Sequence, residues 1–308
     1  MSTMNQDRLW GIDLGGTKIE GAILTPAESP SVLYRERIPT EAFRGYEHIV
    51  GQIAKMFRLM TEFAGSKPDR IGIATPGALD PQTGVMKNCN TTALNGKPLK
   101  ADLERALGIE VHMANDANCF ALAETRLGVV RQQFPDARVV FGVIMGTGVG
   151  GGLVVNGEVI NGLHGIGGEW GHNFLDASGG HCYCGKKGCV EKVLSGPALE
   201  AYYESRAGKK KRMPEIVADA SSDDVARETL KRLTDFFGQA ISVIINIIDP
   251  HVIVIGGGLG NIDAIYSEGM DSLKKNIFNN RVETPIVRPV LGDSAGVFGA
   301  AYLVETKE

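Results

Sequence analysis

The chain repeats one local pattern in its two halves, and this repeat restricts the fold more than any other feature. The apolar stretch 9–24 is interrupted by Gly15-Gly16, and the apolar stretch 139–156 is interrupted by the glycine loop 146–152. Glycine clusters between apolar runs indicate tight connections between neighbouring strands. The sequence therefore predicts two related halves, each built on a glycine turn between two strands.

The segments that follow each turn alternate between strand and helix patterns. In the first half a third strand over 32–38 precedes 46–63, where apolar residues recur at helical spacing, and a strand over 71–74 follows. In the second half a helix near 225–248 leads to a strand over 251–255 and a further helix. This order predicts an α/β protein of two domains with a cleft, because ligands of such folds bind beyond the carboxyl ends of parallel strands.

The length and composition are those of a globular chain with two cores. At 308 residues the chain is long enough for two domains. We expect the boundary near 115–135, with a first domain over 1–118, a second over 119–293, and a helix over about 294–308 packed back on the first. Hydrophobic residues make up 43% and charged residues 22%, and the net charge of -4 forms no strong block. This composition argues against nucleic acid as the main partner.

Cysteine usage and apolar runs indicate the expected compartment. Of the five cysteines, Cys89 and Cys119 have no obvious partner, which fits a reducing environment. No signal sequence opens the chain, and the longest apolar stretch, 240–248, is too short to span a bilayer. The expected location is cytoplasmic, with no membrane partner. The basic run 209–212 is expected to be a solvated loop between helices.

Four side chains that bind metals lie close together in the sequence. They are His172, Cys182, Cys184 and Cys189, which fall within eighteen residues. Three thiolates and one imidazole complete the tetrahedral shell of Zn²⁺ and leave no position for water, so we expect a structural zinc ion. The alternative is that the cysteines are small core residues. We interpret His181 as a surface imidazole, because adjacent ligands would strain the turn.

Both glycine turns are candidates for phosphate binding. In the run 13–18 the glycines allow positive φ and close approach of a ligand, and backbone N–H groups with Thr17 would hold a phosphate. The loop 146–152 repeats the arrangement, so that the two turns together would hold a polyphosphate from both sides. Either loop taken alone is more often a simple hairpin.

Neither glycine loop has the Walker pattern or the dinucleotide-binding fingerprint, which argues against P-loop enzymes and dehydrogenases. A third glycine cluster, Gly256-Gly257-Gly258, follows a buried strand and would admit a flat adenosine moiety. The alternative for this cluster is a tight turn from strand to helix.

Asp116 is the candidate for proton transfer. The run Asn115-Asp116-Ala117-Asn118 follows a strand over 110–113 and precedes a helix over 117–127. An aspartate here can cap the helix, which stabilises it by ~1 kcal/mol. It can also accept a proton from an attacking hydroxyl, which is worth ~10²–10⁴ in rate. The sequence leaves both roles open.

These motifs, together with Gly168-Glu169-Trp170-Gly171-His172 and the Cys-x-Cys-Gly-x2-Gly-Cys-x-Glu run, occur in the order of a known family. The chain resembles the ROK sugar kinases, a branch of the actin-like ATPase superfold, along nearly its whole length. The resemblance implies two actin-like (ribonuclease H-like) α/β domains with an interdomain cleft and a structural zinc knuckle. It also implies the transfer of the γ-phosphoryl group of Mg-ATP to the primary hydroxyl of a hexose, most often O6.

The resemblance assigns roles to individual residues of this chain. Asp116 is the catalytic base, and zinc is held by His172, Cys182, Cys184 and Cys189. Sugar hydroxyls are held by Asn90, Asn115, Glu169, His172 and Glu191, so that one nitrogen of His172 binds zinc while the other meets a hydroxyl. Asp13 helps to place Mg²⁺ through water, and ATP and its phosphates are held by Asp13, Gly15, Gly16, Thr17, Lys18, Gly146, Thr147, Gly148, Gly256, Gly257 and Gly258.

The choice of sugar depends on the runs 87–96 and 169–173, which are most similar to the manno(fructo)kinase branch. That branch usually carries Trp where this chain has Ala93, whereas the N-acetylglucosamine kinases have Ala. A small side chain there would leave room for a 2-acetamido group. We therefore expect fructose or mannose first, with N-acetylglucosamine and glucose as alternatives.

The same family also includes sugar-responsive transcription repressors, which are an alternative class of function. Those need a helix-turn-helix domain before the first strand, and about ten residues precede Gly11 here, so we expect a kinase. A catalytically inactive sugar sensor is the remaining alternative. An amphipathic surface on the second domain and the habit of the family indicate a homodimer.

Overall fold

Two five-stranded sheets organise the computed structural model, which describes residues 8–26 and 30–305. The chain is mixed α/β, as the sequence predicts. In chain order the elements are β1 (Leu9–Leu14), β2 (Lys18–Leu24), β3 (Val32–Pro39), α1 (Tyr46–Ala64), β4 (Arg70–Thr75), β5 (Ala78–Leu79), β6 (Met86–Lys87), α2 (Leu99–Leu107), β7 (Glu110–Asn115), α3 (Asp116–Arg126), α4 (Val129–Gln133), β8 (Val139–Met145), β9 (Val149–Val155), β10 (Glu158–Val159), α5 (Val190–Leu194), α6 (Gly196–Ala207), α7 (Met213–Asp219), α8 (Asp224–Ile248), β11 (Val252–Gly256), α9 (Glu268–Asn276), β12 (Ile286–Val287) and α10 (Ala295–Tyr302).

The described residues form two compact units. The first comprises those up to Pro135, then Gly152–Gly167, and those from Val290 onward; the second comprises Asp136–Gly151 and Gly168–Pro289. Strand β9 belongs to both units, because the chain divides within it.

The sheet of the first unit has the order β3-β2-β1-β4-β7. Strand β2 runs antiparallel to β1 and β3, whereas β4 runs parallel to β1 and β7. The register pairs Asp13 with Ala74 and Thr75 with Asn115. The carboxyl ends of β1 and β7 therefore lie at the same edge of the sheet, where α/β folds bind their ligands.

Helix α1 supplies much of the core of the first unit. Its apolar positions recur at helical spacing, and Ile49, Ile53, Met56 and Met60 are fully buried. This confirms the helix predicted from the sequence. Phe63, which continues the apolar pattern, is instead 53% exposed, and its ring lies beside that of Tyr34.

The last helix packs at backbone distance on the first unit. A Cβ on Gly11 of β1 would lie 2.4 Å from Val297 O, and a Cβ on Gly72 of β4 would lie 1.7 Å from Ala300 O. Only glycine at these strand positions lets α10 approach so closely. The helix expected over about 294–308 corresponds to α10, which ends at Tyr302; residues 306–308 lie outside the described part of the chain.

The second sheet has the order β10-β9-β8-β11-β12, with β11 parallel to both β8 and β12. The 25-residue helix α8 precedes β11, as predicted, and Asp223 caps it by accepting hydrogen bonds from Val225 N and Ala226 N. Among the described helices none is both long enough and apolar enough to cross a membrane.

The second glycine turn is shorter than the sequence predicts. Strand β9 begins at Val149, so the glycines at 150–152 are strand residues and the turn is confined to 146–148. A Cβ on Gly151 would lie 2.3 Å from the Trp170 ring, and a Cβ on Gly152 would lie 2.3 Å from Ala117 O. These two glycines are required by close packing against the strand, a contact that the sequence pattern does not reveal.

Candidate active site

The four candidate metal ligands converge in the second unit. The ligand atoms of His172, Cys182, Cys184 and Cys189 all lie within 4.8 Å of one another. Cys182 Sγ is 3.6 Å from His172 Nδ1, and Cys184 Sγ is 3.6 Å from Cys189 Sγ, too far for a disulfide. Three sulfurs and one imidazole nitrogen are donors that Zn²⁺ prefers. The four residues therefore fit a zinc ion, with Nδ1 as the histidine donor.

The segment before the cluster is fixed by the packing of Trp170. This side chain is buried, and its indole N–H donates to a backbone carbonyl of β9 at 3.2 Å. A Cβ on the next residue, Gly171, would lie 2.0 Å from Val149 O. The tight contact with β9 sets the positions of Glu169 and His172, which lie on either side of this Trp-Gly pair.

Glu191 connects the cluster to the second glycine turn. It lies in the first turn of α5, and its Oε2 accepts a hydrogen bond from Val149 N at 3.1 Å. A Cβ on Gly148 would lie 2.7 Å from the same oxygen, so a larger residue there would displace the carboxylate. Thr147 is exposed in the turn, and it lines a cavity of about 460 Å³ together with Glu191. A residue predicted to bind the sugar and a turn predicted to bind phosphate therefore lie close together in this unit.

The third glycine cluster contains one glycine that the turn requires and one that is open to solvent. Gly257 has φ 81° and a Cβ there would lie 2.3 Å from Met145 O, so the turn after β11 requires glycine at this position. Gly258 is exposed, and a Cβ on it would meet nothing within 4 Å. The backbone at Gly258 is therefore open to a ligand, whereas Gly257 is explained by the turn.

In the first unit the environment of Asp13 is unusual for a carboxylate. Burial raises the pKa of Asp13 from 3.8 to about 7, and the nearby carboxylates of Asp116 and Glu20 add to the rise. The cations of Lys18 and Arg37 offset part of it. A carboxylate so placed is poorly stabilised as an anion, and a bound cation would favour its charged form.

Glu20 is buried in β2 and is held by several donors. Arg35 Nε lies 2.6 Å and Arg37 Nε 2.8 Å from its carboxylate oxygens, and the Ser294 hydroxyl donates at 2.9 Å. Burial alone would raise the pKa of Glu20, but these hydrogen bonds hold it below its usual range. Glu20 is therefore a fixed negative charge beside Asp13.

The structure separates the two roles that the sequence allowed for Asp116. The N-cap of α3 is Asn115, whose Oδ1 accepts a hydrogen bond from Asn118 N at 2.8 Å. Asp116 is the first helical residue, and its Oδ1 accepts from Ala117 N at 2.8 Å. The cap alternative for Asp116 is therefore wrong. Its carboxylate lies near Asp13, because it contributes to the pKa of that residue.

Asn90 lies in a loop after β6 that is held in place by hydrogen bonds. It is exposed, and its backbone N–H donates to Pro76 O at 3.1 Å. The preceding Cys89 is held on both sides by the Asn95 amide, which accepts from Cys89 N at 2.9 Å and donates to Cys89 O at 3.2 Å. A side chain at Gly77 would collide with Cys89. The loop thus presents Asn90 from a fixed backbone.

The first glycine turn is closed by backbone and hydroxyl bonds. Gly15 N donates to Lys18 O at 2.9 Å, and the Thr40 hydroxyl donates to Gly15 O at 2.7 Å. Neither Gly15 nor Gly16 has φ in the left-handed region, so the expected positive φ is wrong. Gly15 is needed because its Cβ would lie 2.9 Å from Lys18 O. Gly16 and Thr17 are exposed, which leaves their backbone open to a ligand.

Two residues of the basic run between α6 and α7 form ion pairs within the chain. Lys211 Nζ donates to Asp219 at 2.6 Å and to Asp223 at 2.9 Å, and Arg212 pairs with Glu200 at 3.0 Å. The expectation of a solvated loop is therefore wrong for Lys211, whose side chain is only 15% exposed.

Four residues beside the candidate site were not singled out by any motif. Two of them, Tyr183 and Asn95, lie inside segments that carry motifs. Glu20 had a signal in the sequence, because it is a charged residue within the apolar run 19–24. Gly296 had none: a Cβ there would lie 2.7 Å from Asp13 Oδ2, so glycine is required for the carboxylate to fit.

Comparisons with known proteins agree along nearly the whole chain. The sequence profile of the ROK family matches residues 9–307. An N-acetyl-D-glucosamine kinase of Vibrio vulnificus (strain YJ016) is 37% identical over 310 residues, which covers 96% of this chain and 98% of that protein. The ROK hexokinase from Thermus thermophilus aligns with a TM-score of 0.85 and 30% identity, covering 96% of this chain and 97% of that one. A ROK family glucokinase from Streptomyces griseus, solved with glucose and AMPPNP, aligns with a TM-score of 0.76 and 26% identity, covering 96% and 98%.

Proposed function

The chain belongs to the ROK family, and from that premise we propose that it is an N-acetylglucosamine kinase that phosphorylates the 6-hydroxyl of its sugar. It is an ATP-dependent sugar kinase, because relatives with this activity match nearly its whole length at 30% identity or more. The choice of sugar is carried by the 37% identity to an enzyme named for that activity.

The preference for fructose or mannose expected from the sequence is not supported by these relatives, and we propose N-acetylglucosamine in its place. Ala93 supports this choice. It lies in the short turn Thr92–Leu94 after Asn90, where it is half-buried against the core of the first unit. A methyl group at this position would leave space for a 2-acetamido group.

We propose Asp116 as the base that accepts the proton of the 6-hydroxyl as it attacks the γ-phosphoryl group. Asn115 already caps α3, so the carboxylate of Asp116 is not needed for that purpose. General base catalysis of this kind contributes ~10²–10⁴ in rate. Asn90 and Asn115 would hold other hydroxyls of the sugar through their side-chain amides.

The phosphates of ATP are proposed to lie against the open backbone at Gly16, Thr17, Gly146, Thr147 and Gly148, and the adenosine against Gly258. Mg²⁺ bound with ATP supplies positive charge that neutralises the phosphoryl oxygens. Asp13 would hold this ion through water, and the pKa of about 7 is consistent with a carboxylate that needs a cation nearby.

In the second unit we propose that Glu169, His172 and Glu191 hold sugar hydroxyls. A zinc ion at the four-residue cluster would fix the imidazole through Nδ1, which leaves Nε2 to meet the sugar. Glu191 is positioned separately by its hydrogen bond from β9. Zinc would thus act on the shape of the sugar site and take no part in the chemical step.

A homodimer is also proposed. On the second unit Val243 and Ile247 of α8 are 43% and 77% exposed, and Phe278 is 97% exposed. Phe278 lies beside α8, because its backbone N–H donates to Asn246 Oδ1 at 2.9 Å. Exposed apolar side chains grouped in this way are typical of an interface between subunits.

The experiment that tests the function is ATP-dependent phosphorylation of N-acetylglucosamine, N-acetylmannosamine, glucose, mannose and fructose. We expect the highest kcat/KM with N-acetylglucosamine. Asp116→Asn should lose ~10²–10⁴ in kcat while it retains sugar binding by calorimetry. Asp136→Asn, which alters an exposed carboxylate, serves as the matched control.

Highest turnover with another sugar would replace the proposed substrate and leave the kinase reaction in place. Sugar binding without turnover of any of the five would contradict the kinase and indicate a sugar sensor. Unchanged kcat in Asp116→Asn would exclude Asp116 as the base.

A further inference from the structure

The hydroxyl group of Tyr183 forms a hydrogen bond with the nitrogen of His172 that the proposed function assigns to the sugar. Its hydroxyl oxygen lies 3.0 Å from His172 Nε2. The two rings meet edge to face, with 5.2 Å between their centroids and 88° between their planes. Tyr183 is 68% exposed, so most of its side chain faces solvent.

The other nitrogen of the ring decides which group donates in this hydrogen bond. His172 Nδ1 faces the Cys182 thiol, and a metal bound there leaves the ring proton on Nε2. The N–H then donates to the Tyr183 hydroxyl oxygen. One N–H makes one hydrogen bond of good geometry, so Tyr183 and a sugar hydroxyl cannot both accept it.

We propose that Tyr183 is a positioning residue: it holds the Nε2–H of His172 in the sugar-free protein and yields it to a sugar hydroxyl when the sugar binds. This inference rests on the proposed function, because it takes the sugar as the second partner of Nε2. It adds a residue to the sugar site that acts through His172.

The surroundings allow the phenol to move while its backbone stays in place. Tyr183 lies between Cys182 and Cys184, two of the four cluster residues, so the chain is held on both sides. Its side chain also lines the cavity of about 460 Å³ that Thr147 and Glu191 line. Rotation of the side chain alone, which is fast for exposed residues, would turn the ring from the imidazole into this cavity.

Tyr183→Phe removes the competing oxygen and keeps the ring that packs on His172. We expect the KM for N-acetylglucosamine to fall about 2- to 10-fold, which corresponds to the net strength of one neutral hydrogen bond. The kcat and the zinc content should stay unchanged. Tyr202→Phe is the matched control, since Tyr202 lines the same cavity but its hydroxyl is bound to Glu228, and its KM should not change.

The exchange of partners can be observed directly by NMR of the ¹⁵N-labelled imidazole of His172 in the zinc-loaded protein. We expect the sugar-free spectra of the wild type and Tyr183→Phe to differ at Nε2, and the spectra with N-acetylglucosamine bound to coincide. This measurement requires sugar binding but no turnover, so it separates the present inference from a failure of the kinase assay.

A higher KM in Tyr183→Phe would overturn the inference, because the hydroxyl would then help to bind the sugar. Sugar-bound spectra that differ at Nε2, or a variant unchanged in both KM and sugar-free spectrum, would overturn it as well. A further outcome is that the sugar shifts the Nε2 signal as expected while the protein shows no turnover. That result would support the exchange of hydrogen-bond partners and contradict the proposed kinase function.

Discussion

The chemistry of Asp13 is set by residues that are distant from it in the sequence. Burial in the first unit is the main cause of its raised pKa, and Asp116 and Glu20 contribute further. Gly296 leaves the space that the carboxylate occupies. An ordinary aspartate at the end of a strand thus becomes a group that is half protonated near neutral pH.

The raised pKa predicts a pH dependence of stability. Between its ordinary pKa of 3.8 and about 7, Asp13 keeps a proton in the folded state that the unfolded chain has lost. Its stabilising contribution is therefore complete below pH 4 and is lost as the pH rises through 7. Asp13→Asn stays neutral, so its free energy of unfolding relative to wild type should rise by up to ~4 kcal/mol between pH 4 and 8.

Urea unfolding of both proteins at several pH values measures this difference. The contributions of the other titrating groups cancel, because both proteins share them. A difference that stays constant between pH 4 and 8 would show that Asp13 titrates normally.

Ala93 predicts the preference among sugars. In Ala93→Trp the indole would occupy the space that we propose for the acetamido group. The kcat/KM for N-acetylglucosamine should fall about 10- to 100-fold relative to that for mannose. The neighbouring Thr92 is exposed, so Thr92→Trp adds the same bulk as a control. Equal losses for both sugars, measured in competition, would exclude Ala93 as a determinant of specificity.

Among the elements of the fold, the segment that carries the four-residue cluster has little regular secondary structure. Between β10 and α5 this fully described segment contains two short 3-10 turns, Trp170–His172 and Ala177–Gly179. Two isolated bridges, Phe174 with Cys189 and His181 with Lys187, and turn hydrogen bonds supply the rest of its backbone bonding. A metal ion at the four-residue cluster would therefore join parts of the chain that no helix or sheet connects.

The knuckle therefore predicts a structural effect of metal loss. Cys184→Ser should lose zinc and lower the melting temperature by roughly 5–10 °C, because a structural metal contributes directly to folding. Mass spectrometry measures the zinc content, and calorimetry measures the melting temperature. Cys89→Ala removes a thiol outside the cluster and should retain zinc. A wild-type protein without zinc, or a Cys184→Ser protein that keeps it, would contradict the structural site.

At the scale of the whole molecule, the compact units are assembled from separate segments of the chain. The first unit takes in 152–167 and the segment from Val290 onward. Glu124, fully buried in α3, accepts hydrogen bonds from the backbone N–H groups of Val290 and Leu291, and also from that of Val129. One carboxylate therefore ties the returning segment to the first unit.

The exposed apolar end of α8 predicts the oligomeric state. We expect a homodimer in light scattering coupled to gel filtration. Ile247→Glu should raise its dissociation constant at least ~10-fold, because a charge would be buried without a partner. Leu163→Glu changes an equally exposed apolar residue of the first unit and should leave the dimer intact. A monomeric wild type, or an unaffected Ile247→Glu dimer, would contradict this prediction.

Features that depend on short spacing along the chain could be predicted from the sequence. The helices α1 and α8 follow from the recurrence of apolar residues, and the four candidate metal ligands stand out because four donors fall within one short segment. Such patterns are local, so the chain carries them without its partners.

Features that depend on contacts between distant segments are visible only in the folded protein. Two positions of β9 require glycine because Trp170 and Ala117 approach the strand closely, and the pKa of Asp13 is raised by burial and by Asp116. The hydrogen bond of Tyr183 to His172 likewise exists only in the folded knuckle. Packing distance, burial and electrostatic interaction arise from the three-dimensional arrangement, so they cannot be predicted from the spacing of residues along the chain.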